Sequence, residues 1–233
     1  MMGESYDAAN LEAMSVAKAY QAAMLNLVRR KLAIAKSPRR VIDFGAGRGD
    51  YAAALSHESL EVLSFEPDTK LHEHYPPQLT VVSELSAIPF GFAEAAYSLN
   101  VLEHITDDTA ALRSWATRCQ PGARFFLLVP ANPGLWTSMD TLVGHQRRYT
   151  PATLAETVNG AGLLIEDSGW FDRTGYFATR AFQLLNRGRA GAGVVSKSQM
   201  RLFDEIFSLA EPVFSRLRLP FGKNCWVLAK KPA

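Results

Sequence analysis

Between positions 8 and 36 the apolar residues Leu11, Met14, Ala17, Tyr20, Met24 and Leu27 recur at steps of three or four. That spacing is the stripe of an amphipathic helix. Its end is basic, with Arg29, Arg30, Lys31 and Lys36, as the negative end of a helix dipole favours, and Pro38 follows. Beyond it the pattern changes. Short β-branched or aromatic runs at 39–45, 60–66, 79–83, 95–100 and 123–130 alternate with stretches that read as helices or turns. Continuous apolar runs of this kind predict strands covered on both faces. Their alternation with helices predicts a doubly wound, Rossmann-like α/β sheet, mostly parallel, with ligands at the carboxyl ends of its strands.

The second half carries its own punctuation. In TPATLAETVNGAG, Thr150 reads as a helix N-cap, Pro151 as the first helical residue and Gly160 or Gly162 as the stop. The runs 163–171 and 224–231 read as two further strands, separated by far more chain than the usual connection of ~4–6 residues. This separation predicts a helical insertion, with helices at 176–187 and 198–218, the second broken or kinked by Pro212. The expected organisation is one domain over 1–233. It comprises an N-terminal helical lid at 1–38, a core at 39–171, the helical insertion or cap at 172–223 and a last strand at 224–233.

Composition narrows the class. An apolar fraction of 48% with 21% charged residues is that of a folded globular domain, and the longest wholly apolar run, FFLLV, is too short to span a bilayer. The first ten residues hold Glu4 and Asp7 and no apolar stretch of the signal-peptide kind, so secretion is not expected. Cys119 and Cys225 form no disulfide framework or metal cluster by spacing, which predicts reduced thiols in the cytoplasm. The net charge of +2 conceals an asymmetry: residues from 171 onward carry +7 and those before carry −5. The C-terminal part can therefore face something anionic, although no consecutive basic block marks it as a nucleic-acid binder.

The chemistry gathers first at VIDFGAGRGD, a strand that ends in Gly45, Gly47 and Gly49. The dinucleotide fingerprint would need another glycine where Asp50 stands, and no Gly-Lys-Ser/Thr of a P-loop follows. Asp43 and Asp50 would repel a pyrophosphate. A cationic or zwitterionic ligand suits the loop better. Glu66, at the end of the second strand, is placed to accept both hydroxyls of a ribose. After the third strand, Glu84 offers an acceptor to an exocyclic amine and Leu85 an apolar wall to a purine. The set describes a nucleoside with a positively charged amino-acid tail and no phosphate.

At these residues the chain resembles the class I S-adenosylmethionine-dependent methyltransferases. VIDFGAGRGD matches the glycine motif, SFEPD the ribose-binding acid, VVSELSAIPF the adenine side and SLNVLEHI the segment after the fourth strand. The resemblance implies a seven-stranded sheet whose last two strands pair antiparallel, and S-adenosylmethionine as cofactor, with S-adenosylhomocysteine as product. It implies cofactor contacts from Asp43, Gly45, Ala46, Gly47 and Gly49, and further along from Glu66, Pro67, Glu84, Leu85 and Asn100. Glu84 departs from the family's usual Asp, and its longer side chain still reaches an adenine amine. MDTLVGHQRRYTPATL, with its GHxRRY pattern, is similar to a bacterial subgroup associated with glycan and glycolipid genes.

The acceptor side is read from LVGHQRRYTP and from the end of SLNVLEHI. His104 and His145 are the two base candidates, since imidazole exchanges protons near neutral pH; each can instead order its loop. Tyr149 can hydrogen-bond an acceptor, Glu103 can line its site, and Arg147 and Arg148 can grip a carboxylate or phosphate. The competing reading has one arginine and Tyr149 fastening the loop to the fold, and a split between one structural and one functional arginine is preferred.

Several other features carry plainer readings. Asp107 and Asp108 read as charges at a helix start. No metal site is expected, because His72 and His74 lack companion ligands at a recognised spacing. Arg173, Arg180 and Arg187, seven residues apart, read as a solvated helix face, or as a contact for an anionic substrate or lipid surface. Tyr176, Phe177, Phe182, Leu184, Phe203, Phe207 and Phe214 read as core or dimer contacts ahead of a substrate wall. The expected activity is methyl transfer to an oxygen or nitrogen of a small-molecule or lipid- or glycan-linked acceptor. No transmembrane segment and no nucleic acid are expected; peripheral membrane contact and a homodimer are compatible. The alternatives are a protein that binds the cofactor without turnover, and a methyltransferase of proteins or nucleic acids.

Overall fold

In the computed structural model, which describes residues 14–34, 39–56, 60–185, 196–217 and 219–233, seven strands form one sheet. They are β1 (Arg40–Phe44), β2 (Glu61–Phe65), β3 (Thr80–Val82), β4 (Ala93–Leu99), β5 (Cys119–Pro130), β6 (Leu164–Phe171) and β7 (Asn224–Lys230). Their order is β3-β2-β1-β4-β5-β7-β6. The first five run parallel, and β7 is antiparallel to both β5 and β6. All seven expected strands are present. Strand β5 starts at Cys119 rather than 123, continuing through Pro121 and Gly122, because the chain there pairs with Ala93 across a register shift.

The apolar runs of the central strands are continuous because each of those strands serves two cores. Along β5, Phe125, Leu127 and Val129 enter one buried cluster, while Phe126 and Leu128 enter the other. The first cluster is closed by α3 (Asp108–Ala116) and α5 (Pro151–Gly160) through Leu112, Trp115, Leu154 and Val158. The second is closed by α1 (Lys18–Leu32), α2 (Asp50–Ser56) and α7 (Lys197–Arg216). A five-residue helix α4 (Ser138–Leu142) lies after β5, and α6 (Arg173–Leu185) precedes α7 in the insertion.

The N-terminal stripe lands where its period puts it: Ala17, Tyr20, Met24 and Leu27 are buried. Leu11 and the rest of 1–13 lie outside the described residues. Within the described part, α1 is a packed layer of the core. The Asp204 carboxylate of α7 accepts from the backbone N–H groups of Ala19 and Tyr20, taking up donors that a helix start leaves unpaired.

The insertion differs from its sequence reading in three respects. Helix α6 begins at Arg173, earlier than 176, because the Asp172 carboxylate accepts from Gly175 N–H and caps the first turn. Helix α7 runs on through Pro212 instead of breaking there. The arginine stripe is not solvated at its first member, whereas Arg180 is exposed. Arg173 is buried, faces Glu211 at 3.5 Å and donates to the Trp170 and Leu219 carbonyls; Arg180 donates to the Gly134 carbonyl. Arg187 lies outside the described residues. Phe207 is a core residue, and Tyr176, Phe177, Phe214 and Phe221 touch ring to ring. Leu184 is exposed, and Phe182 only partly covered.

Candidate active site

The strand order places β1 and β4 side by side with connections leaving in opposite directions, and a crevice opens at such a point at the carboxyl ends of the strands. The glycine turn leaves β1 there. Gly45 has φ +75°, and a Cβ on it would overlap the side chain of Val101, so the turn lies directly against the segment after β4. Gly47, at φ +57°, has nothing within 4 Å of where its Cβ would stand. The turn is thus packed on one side and open on the other, as close approach of a ligand to the backbone requires.

Two acids brace it. Glu66, buried at the end of β2, accepts from Gly47 N–H at 2.8 Å and from Asp68 N–H at 3.0 Å, and burial raises its pKa. Asp43, buried beneath the turn and paired in register with Tyr97 of β4, accepts that residue's hydroxyl at 2.8 Å. Burial pushes the Asp43 carboxyl up to about 7, against the lowering effect of the Tyr97 hydrogen bond. Ala46 is buried within the turn, and Pro67 is exposed just beyond Glu66. Asn100, at φ +56°, ends β4 and accepts from the side-chain amide of Asn224 at 2.9 Å. Glu84 is exposed at the end of β3, and Leu85 is half-buried against the first core.

Beyond Asn100 the chain makes a short 3₁₀ turn, Leu102–His104, and beyond β5 it runs through α4 into GHQRRY. The two segments are strapped together: Gln146 N–H donates to the Glu103 carbonyl at 2.8 Å, and its side chain to the His104 carbonyl at 2.7 Å. Tyr149 then pairs with Ala131 as an isolated parallel bridge, and α5 starts as expected, with Thr150 capping and Pro151 in its first turn.

Buried carboxylates organise this cluster. Asp140 accepts from Arg148 Nε at 2.7 Å and Nη2 at 3.1 Å, and from His145 Nδ1 at 2.8 Å. Burial alone would raise its pKa, but these hydrogen bonds outweigh burial and hold the carboxyl well below the ordinary range. Arg148, its side chain 5% exposed, also donates to the Ala131 carbonyl. Asp108 accepts the Tyr149 hydroxyl at 2.6 Å and faces Arg147 Nη1 at 3.0 Å, while Arg147 Nη2 donates to the Thr106 carbonyl. Tyr149, open in the sequence between meeting an acceptor and fastening the loop, is buried with its hydroxyl committed to Asp108. Of the two arginines, Arg148 is committed to Asp140. Arg147 is the more open arginine, its side chain 34% exposed, beside a cleft of ≈ 400 Å³ shared with Thr153 and Glu156.

What faces these struts is a different kind of group. Glu103 is 0% exposed, neither carboxylate oxygen has a hydrogen-bond partner, and burial pushes its pKa up to about 8. Its Oε1 lies 3.8 Å from His145 Nε2. The His104 ring meets that of His145 edge-on, centroids 4.8 Å apart, and burial together with the neighbouring His145 lowers His104 to about 4. All three stand out singly in the sequence, and nothing local joins them into one group. Asp140 does not stand out, although the run T-S-M-D that it ends carries the spacing of a capping box, which Thr137 and Asp140 do form.

The sequence matches the model of the methyltransferase-domain family over residues 16–167. The ubiquinone biosynthesis O-methyltransferase of Aeromonas salmonicida is 25% identical over 156 residues, a match covering 55% of this chain and 64% of that protein's length. Among solved structures, an S-adenosylmethionine-dependent methyltransferase from Archaeoglobus fulgidus superimposes with a TM-score of 0.60 at 18% identity, over 89% of this chain and 93% of its own. Another from Mesorhizobium loti does so with a TM-score of 0.56 at 16% identity, over 85% and 96%. At these identities the structural likeness carries the fold.

Proposed function

The chain belongs to the methyltransferase-domain family, and from that premise we propose that it transfers the methyl group of S-adenosylmethionine to an oxygen of a small-molecule or lipid-linked acceptor. One observation carries the reading: the open glycine turn, braced by Asp43 and Glu66, packs against Val101, two residues before the Glu103–His104–His145 group. A cofactor site and a proton-handling polar group therefore adjoin. The sulfonium already activates the methyl, so one in-line displacement suffices: the S–CH3 bond breaks as the O–CH3 bond forms, S-adenosylhomocysteine leaves, and the hydroxyl proton passes by way of the Glu103–His104–His145 group to solvent. The protein's tasks are alignment and exclusion of water.

Oxygen is favoured over nitrogen because the relative from Aeromonas salmonicida is an O-methyltransferase. Lipid linkage is supported by α7, where Leu202, Ile206, Leu209 and Val213 form an exposed apolar stripe at helical spacing. No helix among the described residues is long and apolar enough to cross a membrane, so such an acceptor would be met at a surface. Incubation with methyl-labelled cofactor and separate polar-metabolite and lipid extracts, followed by mass spectrometry, tests the proposal. An O-methylated lipid is the expected product. Label confined to polar metabolites discards lipid linkage, and saturable cofactor binding without any labelled product leaves a binding protein.

A further inference from the structure

Glu103 poses a problem that the fold does not solve. A carboxylate withdrawn from water normally takes hydrogen bonds or a counter-charge, and an unpaired one costs several kcal/mol or gives up its charge. Asp108 and Asp140, its neighbours in the same cluster, take both. Glu103 has neither oxygen hydrogen-bonded, the group nearest it is the His145 imidazole, and the Arg148 charge, already spent on Asp140, offsets only part of the cost of its burial.

We propose that Glu103, His104 and His145 form a binding site for one divalent first-row transition-metal cation, with Asp140 as the residue that orients His145.

The distances suit a bridging ion better than direct contact. Oε1 of Glu103 and Nε2 of His145 are 3.8 Å apart, too far for a hydrogen bond. Two metal–ligand bonds of about 2.0–2.2 Å each span up to about 4.3 Å. One ligand atom from each of the three residues lies within 4.8 Å of the others. The shell behind the ligands has the corresponding arrangement. Arg148 already donates twice to Asp140, so that carboxylate is an acceptor and His145 Nδ1 is the donor to it, which leaves the lone pair on Nε2, the nitrogen nearer Glu103. Carboxylate–imidazole–metal relays of this form fix both tautomer and ring orientation. The Gln146 strap holds the two ligand-bearing segments in register.

Two imidazoles and one carboxylate select ions such as zinc, manganese, iron(II) or cobalt(II) over calcium and magnesium, which take oxygen shells. Three protein ligands leave coordination positions open. Use of such a position to hold the acceptor hydroxyl and ease loss of its proton to solvent rests on the proposed function; the binding site itself does not.

The test uses the full chain stripped of metal. Titration with cobalt(II) is expected to give one bound ion per chain, with visible d–d absorption. Glu103→Gln and His145→Ala should each abolish those bands, Asp140→Asn should weaken binding about 10–100-fold, and His74→Ala, at an exposed histidine remote in sequence, should leave it unchanged. Circular dichroism and S-adenosylhomocysteine binding, measured on every variant, separate lost ligation from lost fold. Wild type that binds no cobalt at millimolar concentration, or spectra that survive both ligand substitutions, overturns the site. Wild type that binds cobalt but no S-adenosylhomocysteine overturns the proposed function and leaves the site standing.

Discussion

The two sides of the candidate site are held by different means. On the glycine-turn side, main-chain groups and single acids set the shape: Glu66 receives backbone N–H groups, and Asp43 receives one hydroxyl from the neighbouring strand. On the GHQRRY side, side chains hold other side chains through the buried carboxylates Asp108 and Asp140. The first arrangement leaves open backbone for a ligand. The second expends most of its polar groups on fastening a loop, and leaves the Glu103 carboxylate without a hydrogen-bond partner, 3.8 Å from the far nitrogen of His145. A dense polar motif is therefore a poor guide to which of its members are functional until their partners are known.

The sharpest way to break this comparison is Asp140→Ala. It strands the buried Arg148 guanidinium and releases His145, and removing one partner of a buried pair costs about 3–5 kcal/mol. Chemical denaturation should show a loss of that size. A loss under about 1 kcal/mol would mean that the loop is not fastened through this carboxylate. Gly47→Arg is the counterpart on the other side. Its left-handed backbone costs an arginine roughly 1–2 kcal/mol, but nothing crowds its Cβ, so the fold should survive. Cofactor affinity in calorimetry should fall at least about 100-fold, or ~2.7 kcal/mol, as the new side chain fills the open face of the turn. Near-normal binding would move the cofactor elsewhere.

The same contrast explains what could be read from the sequence. The strands, the N-terminal stripe, the glycine turn and the Thr150–Pro151 helix start are local patterns, each fixed by backbone geometry or by alternation over a few residues, and the structure has them. Asp108 and Tyr149 are 41 positions apart, and no local pattern announces their hydrogen bond, so the first reads as a helix-start charge and the second stays open between a substrate contact and a loop fastener. Glu211 stands 38 positions from Arg173, which made a buried arginine read as a solvated one. The metal-capable group joins residues at 103–104 with one at 145 and has none of the close spacing by which ligand motifs are recognised.

A smaller effect follows from Asp43. In the empty protein its carboxyl titrates at about 7, raised by burial, so below neutral pH it is protonated and offers no charge to a cationic ligand. Binding a cationic cofactor beside it then requires release of that proton. Affinity should rise with pH up to about 7 and level off above it, with a slope of at most about tenfold per pH unit. For the empty protein the sign is opposite. The folded pKa is raised, so this group's contribution to stability is fully present below about pH 4 and lost as pH rises through about 7. Asp43→Asn should flatten both profiles. A wild-type affinity independent of pH between 5 and 8 would show that Asp43 does not sense the cofactor's charge.

The smallest expected effect bears on Tyr149, whose two readings differ in what its hydroxyl does. Tyr149→Phe removes the hydroxyl donated to Asp108 and leaves the ring in place. Asp108 keeps Arg147 and the Thr157 hydroxyl, so its charge is not stranded, and the cost should be about 1–2 kcal/mol. Turnover of the labelled acceptor should stay within about threefold, since a group that only fastens the loop contributes nothing that appears first in the transition state. Turnover slowed by about two orders of magnitude or more at unchanged stability would place the Tyr149 hydroxyl on the acceptor during the reaction. It would then have to leave Asp108 for a substrate, and the loop that carries it would be a moving part and not a brace.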